Sequence, residues 1–126
     1  MREPSDVLDS VRRVRRRLAE AGPSSEREPG DFPRVALPEG DADVFRDLLI
    51  AERARVVIEV GLAYGSSALA IGEALLSQAE PWPTQVIIDA YQDHFGDAGC
   101  RAVAEAGLTG VARLFRQRSL PVWPRR

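Results

Sequence analysis

Apolar residues recur along the chain in two rhythms, one helical and one continuous. Over the first twenty residues, Val7, Val11, Val14 and Leu18 fall at i, i+4, i+7 and i+11, a single narrow stripe on a helix. The spacing predicts a helix from about Ser5 to Ala21, with Ser5 as N-cap, Asp6 and Asp9 near the positive end of the dipole, and Gly22-Pro23 as the stop. The stretch "GPSSEREPGDFPRVALPEG", residues 22–40, has no period and is rich in Pro, Gly, Ser and charge, so it reads as a linker or irregular loop. A short helix over about Asp41–Arg53, capped by Asp41, would turn Val44, Phe45, Leu48 and Leu49 toward a core. From Val56 to Val60 the apolar residues run on without alternating, the signature of a strand buried on both faces and central in a parallel sheet. A helix over Ser66–Leu76 follows, then the connector "SQAEPWPT" and a second apolar strand, Gln85–Asp89. Strand, helix and strand together span roughly 30 residues, the size of a right-handed βαβ unit. A weaker repeat places a helix over Ala98–Ala106, stopped by Gly107, and a strand over Val111–Phe115. The tail "RQRSLPVWPRR" carries two prolines that forbid a central strand. The fold class is α/β. Residues 1–40 form an amphipathic helix and linker, and residues 41–126 the α/β unit.

Composition narrows the chemistry. A length of 126 residues suits one domain, and 44% apolar with 29% charged residues suits a globular one. No apolar run approaches a membrane span, and "MREPSDVLDSVRRVRRRLAEAG" lacks the uninterrupted apolar segment of a secretory signal, so a cytoplasmic protein without membrane contact is expected. One cysteine, Cys100, excludes an intrachain disulfide, and one histidine, His94, leaves no His/Cys cluster for zinc; no metal is expected. The chain has no lysine and no asparagine, so all 17 basic residues are arginine. That removes Schiff-base lysines, the phosphate-loop lysine and a Cys/His/Asn protease set. A net charge of −2 gives no global pull toward nucleic acid or anionic membrane. Arg12, Arg13, Arg15, Arg16 and Arg17 crowd the polar side of the first helix, which reads as a solvated face, with an RNA- or partner-binding surface as the alternative.

The remaining candidates sit at the strand ends, where open α/β sheets bind ligands. Gly61 and Gly65 follow the first strand, and glycine there permits positive φ and close backbone approach. Their Gly-x-x-x-Gly spacing is neither the Gly-x-Gly-x-x-Gly of dinucleotide sites nor a Gly-Lys-Ser/Thr phosphate loop, which disfavours a diphosphate ligand. Asp89 closes the second strand on the same rim, placed to accept hydrogen bonds from ribose hydroxyls, which favours a nucleoside.

"VIEVGLAYGSSALAIGEAL" resembles motif I of class I S-adenosylmethionine-dependent methyltransferases, acid-x-Gly-x-x-x-Gly. "VIIDAYQDHFGDAGCRAVAEAGL" is similar to the next segment of small O-methyltransferase-like members, through Ile88-Asp89, Tyr91-Gln92, Gly96 to Gly99 and "EAGL". The likeness covers about Val35 to Leu120, with Ser119-Leu120-Pro121 a loose echo of the family's S-x-x-L-P. The resemblance implies a Rossmann-like three-layer sandwich with a parallel sheet, here the N-terminal portion, truncated after about three strands. It implies S-adenosyl-L-methionine as cofactor, held by Glu59, Gly61, Tyr64, Gly65, Ser66, Asp89 and Ala90. Glu59 would anchor the loop around the methionine end, the Gly61–Gly65 loop with Ser66 would wrap that end, and Asp89 would bind the ribose. Each residue also has a plain structural reading. Glu59 pairs with Arg55 or Arg113, Asp89 caps the following turn, the glycines serve the turn alone, and Ser66 caps a helix.

The family continues through further strands, and its fourth carries an acidic motif near the acceptor that has no counterpart here. No catalytic base is nominated, since His94 in a polar loop and Cys100 in an apolar helix read as structural. In the family's strand order the first strand lies beside that fourth one. Val56–Val60 would then be an exposed apolar edge that recruits a second copy or the missing C-terminal half. The implied activity is methyl transfer, to oxygen of a small-molecule acceptor. A non-catalytic Rossmann-like scaffold and nucleic-acid binding through the arginine helix are the alternatives.

Overall fold

The computed structural model describes residues 3–78 and 83–119. Five α-helices and three strands follow in the order α1 (Pro4–Ala21), α2 (Asp31–Val35), α3 (Glu39–Ala51), β1 (Val56–Val60), α4 (Ser66–Leu76), β2 (Thr84–Ile88), α5 (Ala98–Glu105) and β3 (Ala112–Phe115). Helix α1 starts with Pro4 in its first turn, where a missing N–H costs nothing. It ends at Gly22, whose φ of +72° suits glycine and whose N–H donates to the Leu18 carbonyl at 2.9 Å. The expected N-cap was Ser5; the cap is Glu3, because Pro4 sets the helical φ one residue earlier.

Val7, Val11, Val14 and Leu18 are all buried, in one core with Leu62, Leu69, Ile87, Ala102, Val103 and Leu108. The apolar stripe of α1 therefore docks on the α/β unit across the boundary the sequence suggested near residue 40. Of its arginines, Arg12, Arg13, Arg16 and Arg17 stay exposed, as a solvated face requires, and Arg15 is docked. The Arg15 side chain is 9% exposed and donates to Glu73 of α4 and to Asp43 of α3, each at 2.8 Å. Arg12 and Arg46 reach the other Glu73 oxygen at 3.4 and 3.2 Å, and Arg17 pairs with Glu105. Glu73 is thus a buried acid satisfied by three arginines, an arrangement whose value lies less in net gain than in the cost of removing one partner.

The sheet is three-stranded and parallel, in the order β1-β2-β3. Val57 stands opposite Gln85, Glu59 opposite Ile87, and Ile87 opposite Leu114. Two right-handed crossovers stepping the same way across a sheet put both connecting helices on one face, and α4 and α5 pack together there with α1 and α3 against α4.

Three expectations are corrected. Strand β1 is at the edge, as the truncated strand order implied, and not central as its apolar run suggested, and only its Val57 and Glu59 side is covered; Val56, Ile58 and Val60 are 62%, 44% and 59% exposed. The opposite layer of the three-layer sandwich is therefore missing over β1 among the described residues. Helix α3 turns Val44 and Leu48 outward, at 69% and 55% exposure, and buries Ala42. Arg46 reaches Glu73 instead, and the part-exposed Asp43 pairs with Arg15 and Arg46. The stretch taken as a linker folds in part: Asp31, in α2, is buried. Of the Ser119-Leu120-Pro121 echo, only Ser119 lies within the described residues.

Candidate functional site

Strand β1 runs out through Gly61 to Gly65 into α4. The two glycines serve different ends. At Gly61 φ is +95°, and a Cβ there would meet nothing within 4 Å, so the backbone faces open space. At Gly65 φ is +90°, and a Cβ would press on Ala102 Cβ and the Gly99 carbonyl, both at 3.4 Å. Gly65 is also the N-cap of α4, which leaves Ser66 as the first helical residue rather than its cap. Ser66 is half-buried and lines a pocket of about 250 Å³ with Leu18, Phe32, Leu37, Ala42 and Leu69.

Glu59 closes β1 and points toward α4. Its Oε2 accepts the Ser67 hydroxyl proton, so the hydrogen bond goes to a serine rather than to Arg55 or Arg113. Its Oε1 is buried and has no hydrogen-bond partner among the described residues. Burial pushes this carboxyl up to about 7, against the Ser67 hydrogen bond, with the nearby charge of Asp89 raising it further. An orphaned buried carboxylate oxygen costs free energy unless something polar meets it.

Asp89 follows β2 and is also buried. Its Oδ1 accepts from the Tyr91 N–H at 2.7 Å. Its Oδ2 accepts from the Leu62 N–H at 2.9 Å and from Gln92 Nε2 at 3.2 Å. It caps the turn and staples that turn to the glycine loop, with the Gly61 N–H reaching the Ile88 carbonyl at 2.8 Å beside it. Three donors leave a carboxylate about one lone-pair site. Ala90 is half-buried between Asp89 and Tyr91.

Tyr64 is fully buried, and its hydroxyl donates to Asp31 Oδ2 at 2.5 Å and accepts from the Arg27 N–H at 2.9 Å. Its ring meets Phe32 and Phe95 edge-on, with centroids 5.4 and 5.2 Å apart. The hydrogen bonds from Arg27 and Tyr64 hold the Asp31 carboxyl below the usual range. The Tyr64 side chain is committed to the core, so this residue offers a ligand its backbone alone.

Gln92 is the residue the sequence reading passed over. Its Nε2 donates to the Ala63 carbonyl at 3.0 Å as well as to Asp89, and its Oε1 accepts from the Cys100 N–H at 2.9 Å. The "YQ" pair in the resemblance was the available signal. Gly99 was another: a Cβ there would lie 2.4 Å from the Ala63 carbonyl oxygen and 2.7 Å from Leu62 Cγ, so α5 abuts the loop. His94 is exposed with its ring 5.6 Å from that of Tyr91, and burial pushes the Cys100 thiol up. Neither is arranged as a nucleophile with a base. Among the described residues no cluster of His, Cys, Asp and Glu could hold a metal ion, and no helix is long and apolar enough to cross a membrane.

No protein-family model matches the chain, and no curated protein matches it. A solved structure does: the O-methyltransferase TomG from Streptomyces achromogenes, involved in tomaymycin synthesis and crystallised with S-adenosylmethionine, superposes with a TM-score of 0.62 at 21% identity. The match takes in 92% of this chain and 44% of that one, so this chain spans less than half the length of its structural relative. At that identity the likeness is one of fold: this is a methyltransferase-like α/β fold.

Proposed function

We propose that the chain binds S-adenosyl-L-methionine at the β1–α4 loop and forms the cofactor-binding part of an O-methyltransferase that acts on a small molecule. The observation that carries this is the buried Oε1 of Glu59, which has no hydrogen-bond partner among the described residues, two positions before the open backbone of Gly61. The methionine end of the cofactor carries an ammonium and a carboxylate. Glu59 Oε1 is the acceptor an ammonium requires, and the amino end of α4, with Ser66, suits the carboxylate. Gly61 lets the ligand lie against the backbone. Asp89 fits more tightly: its remaining acceptor site suits one ribose hydroxyl, and a second would displace its longest bond, that from Gln92.

When bound, the cofactor supplies the electrophilic methyl group. The chain's own residues position it and keep water from one side. The loop is held from below by Asp89 and Gln92, which hold its geometry before any ligand arrives. Among the described residues none is placed as a base toward an acceptor. Binding to nucleic acid through α1 is disfavoured because Arg12, Arg15 and Arg17 are engaged with Glu73 and Glu105.

Calorimetric titration with S-adenosylhomocysteine at pH 8 and pH 6 tests the reading. A Glu59 carboxyl titrating near 7 must be ionised to take an ammonium, so affinity should fall about tenfold between the two. Glu59→Gln should bind more weakly at pH 8 and lose the dependence on pH. A folded wild type that shows no saturable binding at pH 8 defeats the proposal and favours a non-catalytic scaffold.

A further inference from the structure

Between Gly61 and Gly65 the chain holds a residue in a conformation that its own chemistry disfavours. Ala63 has a φ of +48°, in the left-handed region that a residue with a Cβ occupies only when its surroundings keep it there. Two sets of contacts do so. From the sheet side, Asp89 accepts from the Leu62 N–H and Gln92 donates to the Ala63 carbonyl. From the other side comes Tyr64, whose hydroxyl reaches out of the α/β unit into the stretch before α3. It donates to Asp31 Oδ2 at 2.5 Å, the length of a charge-assisted bond, and accepts from the Arg27 N–H at 2.9 Å. Arg27 closes the triangle, with its guanidinium 2.8 Å from Asp31 Oδ1 and 4.9 Å from the centre of the Phe95 ring. The Asp31 side chain is only 2% exposed. Its own backbone is tied down as well, with the Asp31 N–H on the Glu28 carbonyl at 3.0 Å and the Phe32 N–H on the Glu26 carboxylate at 2.8 Å.

We propose that Asp31 and Arg27 are positioning residues for the cofactor loop: they latch Tyr64, and through it keep Ala63 in the left-handed region and the Gly61 backbone presented to the ligand. This rests on the cofactor reading above and extends it to two residues that are not among those proposed to hold the cofactor. Asp89 and Gln92 fix the loop on one side of Ala63 only. With Tyr64 unlatched, the residues beyond Ala63 are free to relax its φ, and the loop spends part of its time in a shape that does not bind. A site that is competent for a fraction of the time binds with an affinity lowered by that fraction. The coupling runs both ways, so bound cofactor steadies the turn that carries Arg27 and Asp31.

Calorimetric titration with S-adenosylhomocysteine at pH 8, joined to amide hydrogen exchange, tests it on the whole chain. Tyr64→Phe deletes the hydroxyl and keeps the ring against Phe32 and Phe95, and it should weaken binding about tenfold. Asp31→Leu keeps the bulk and loses the acceptor; it should match Tyr64→Phe, and the two together should weaken binding no further than either alone. Asp31→Asn keeps an oxygen for the hydroxyl and should retain most of the affinity. In the wild type the ligand should slow exchange of the Arg27 amide, and in Tyr64→Phe it should not. Leu108→Ala unpacks a buried side chain that lies against Gly72 of α4; it should lower stability and leave affinity unchanged. A folded Tyr64→Phe chain that binds as tightly as the wild type overturns the proposal. So does an equal loss of affinity in Leu108→Ala, which would reduce the effect to one of stability. A wild type without saturable binding defeats the cofactor reading instead, and this proposal with it.

Discussion

On the helix-covered face of the sheet Ile87 is 0% exposed, while on the opposite face Ile58, one strand over, is 44% exposed. The two residues are chemically identical and belong to equally apolar strands. Ile87 belongs to the buried cluster with Ala68, Leu69, Ala102 and Val103, and Ile58 does not. An apolar run therefore records the capacity of a strand to be buried, and the partner that covers it decides how much of that capacity becomes stability. For the same reason the apolar run of β1 reads as central, and only the strand order that the resemblance implies puts it at the edge where it stands.

Variants on the two faces should differ accordingly. Ile87→Ala removes packed methylene groups and leaves a cavity, and should cost about 3–4 kcal/mol in urea denaturation. Next in size, Gly99→Ala drives a Cβ to 2.4 Å from the Ala63 carbonyl oxygen and should cost about 2 kcal/mol, with altered amide shifts across residues 62–65. Glu59→Gln should act in the other direction. Its native carboxyl is raised from 4.5 to about 7, so the folded state holds the proton more tightly than the unfolded one. The stability this confers is full below about 4.5 and is lost as pH rises through 7. A neutral Gln escapes that loss, so the variant should melt like wild type at pH 5 and gain about 2 kcal/mol at pH 8. Equal melting of the two at pH 8 would mean that Glu59 is not held in a desolvated site. Smallest of all, Ile58→Ala should cost under about 1 kcal/mol. A loss matching that of Ile87→Ala would show that the bare face is already covered in solution.

The local part of the fold was legible and the long-range polar part was not. Helix α4 begins and ends where its glycines and apolar residues indicated, and the four-residue stripe of α1 is buried as spaced. Both follow from neighbours in sequence. Arg15 and Glu73 are 58 positions apart and Asp31 and Tyr64 are 33 apart, and no periodicity connects them. The solvated face of α1 was legible, but the one arginine in it that docks, Arg15, was not, and residues 22–40 read as a linker. At the site, the glycine loop and its acid were visible as a pattern. The turn cap by Asp89 was one of its two readings, but its second role as a staple to the Leu62 N–H, and the position of Gln92 between the two loops, emerge only once β1 and β2 lie side by side.

Gln92 hydrogen-bonds to Ala63 on one loop, to Asp89 on the other, and to Cys100 at the start of α5. Neither loop can swing out alone without breaking that amide's contacts with the other. The rim therefore opens as one unit or stays shut, and a molecule arriving there meets a surface whose ordering entropy was spent when the chain folded rather than when the ligand bound.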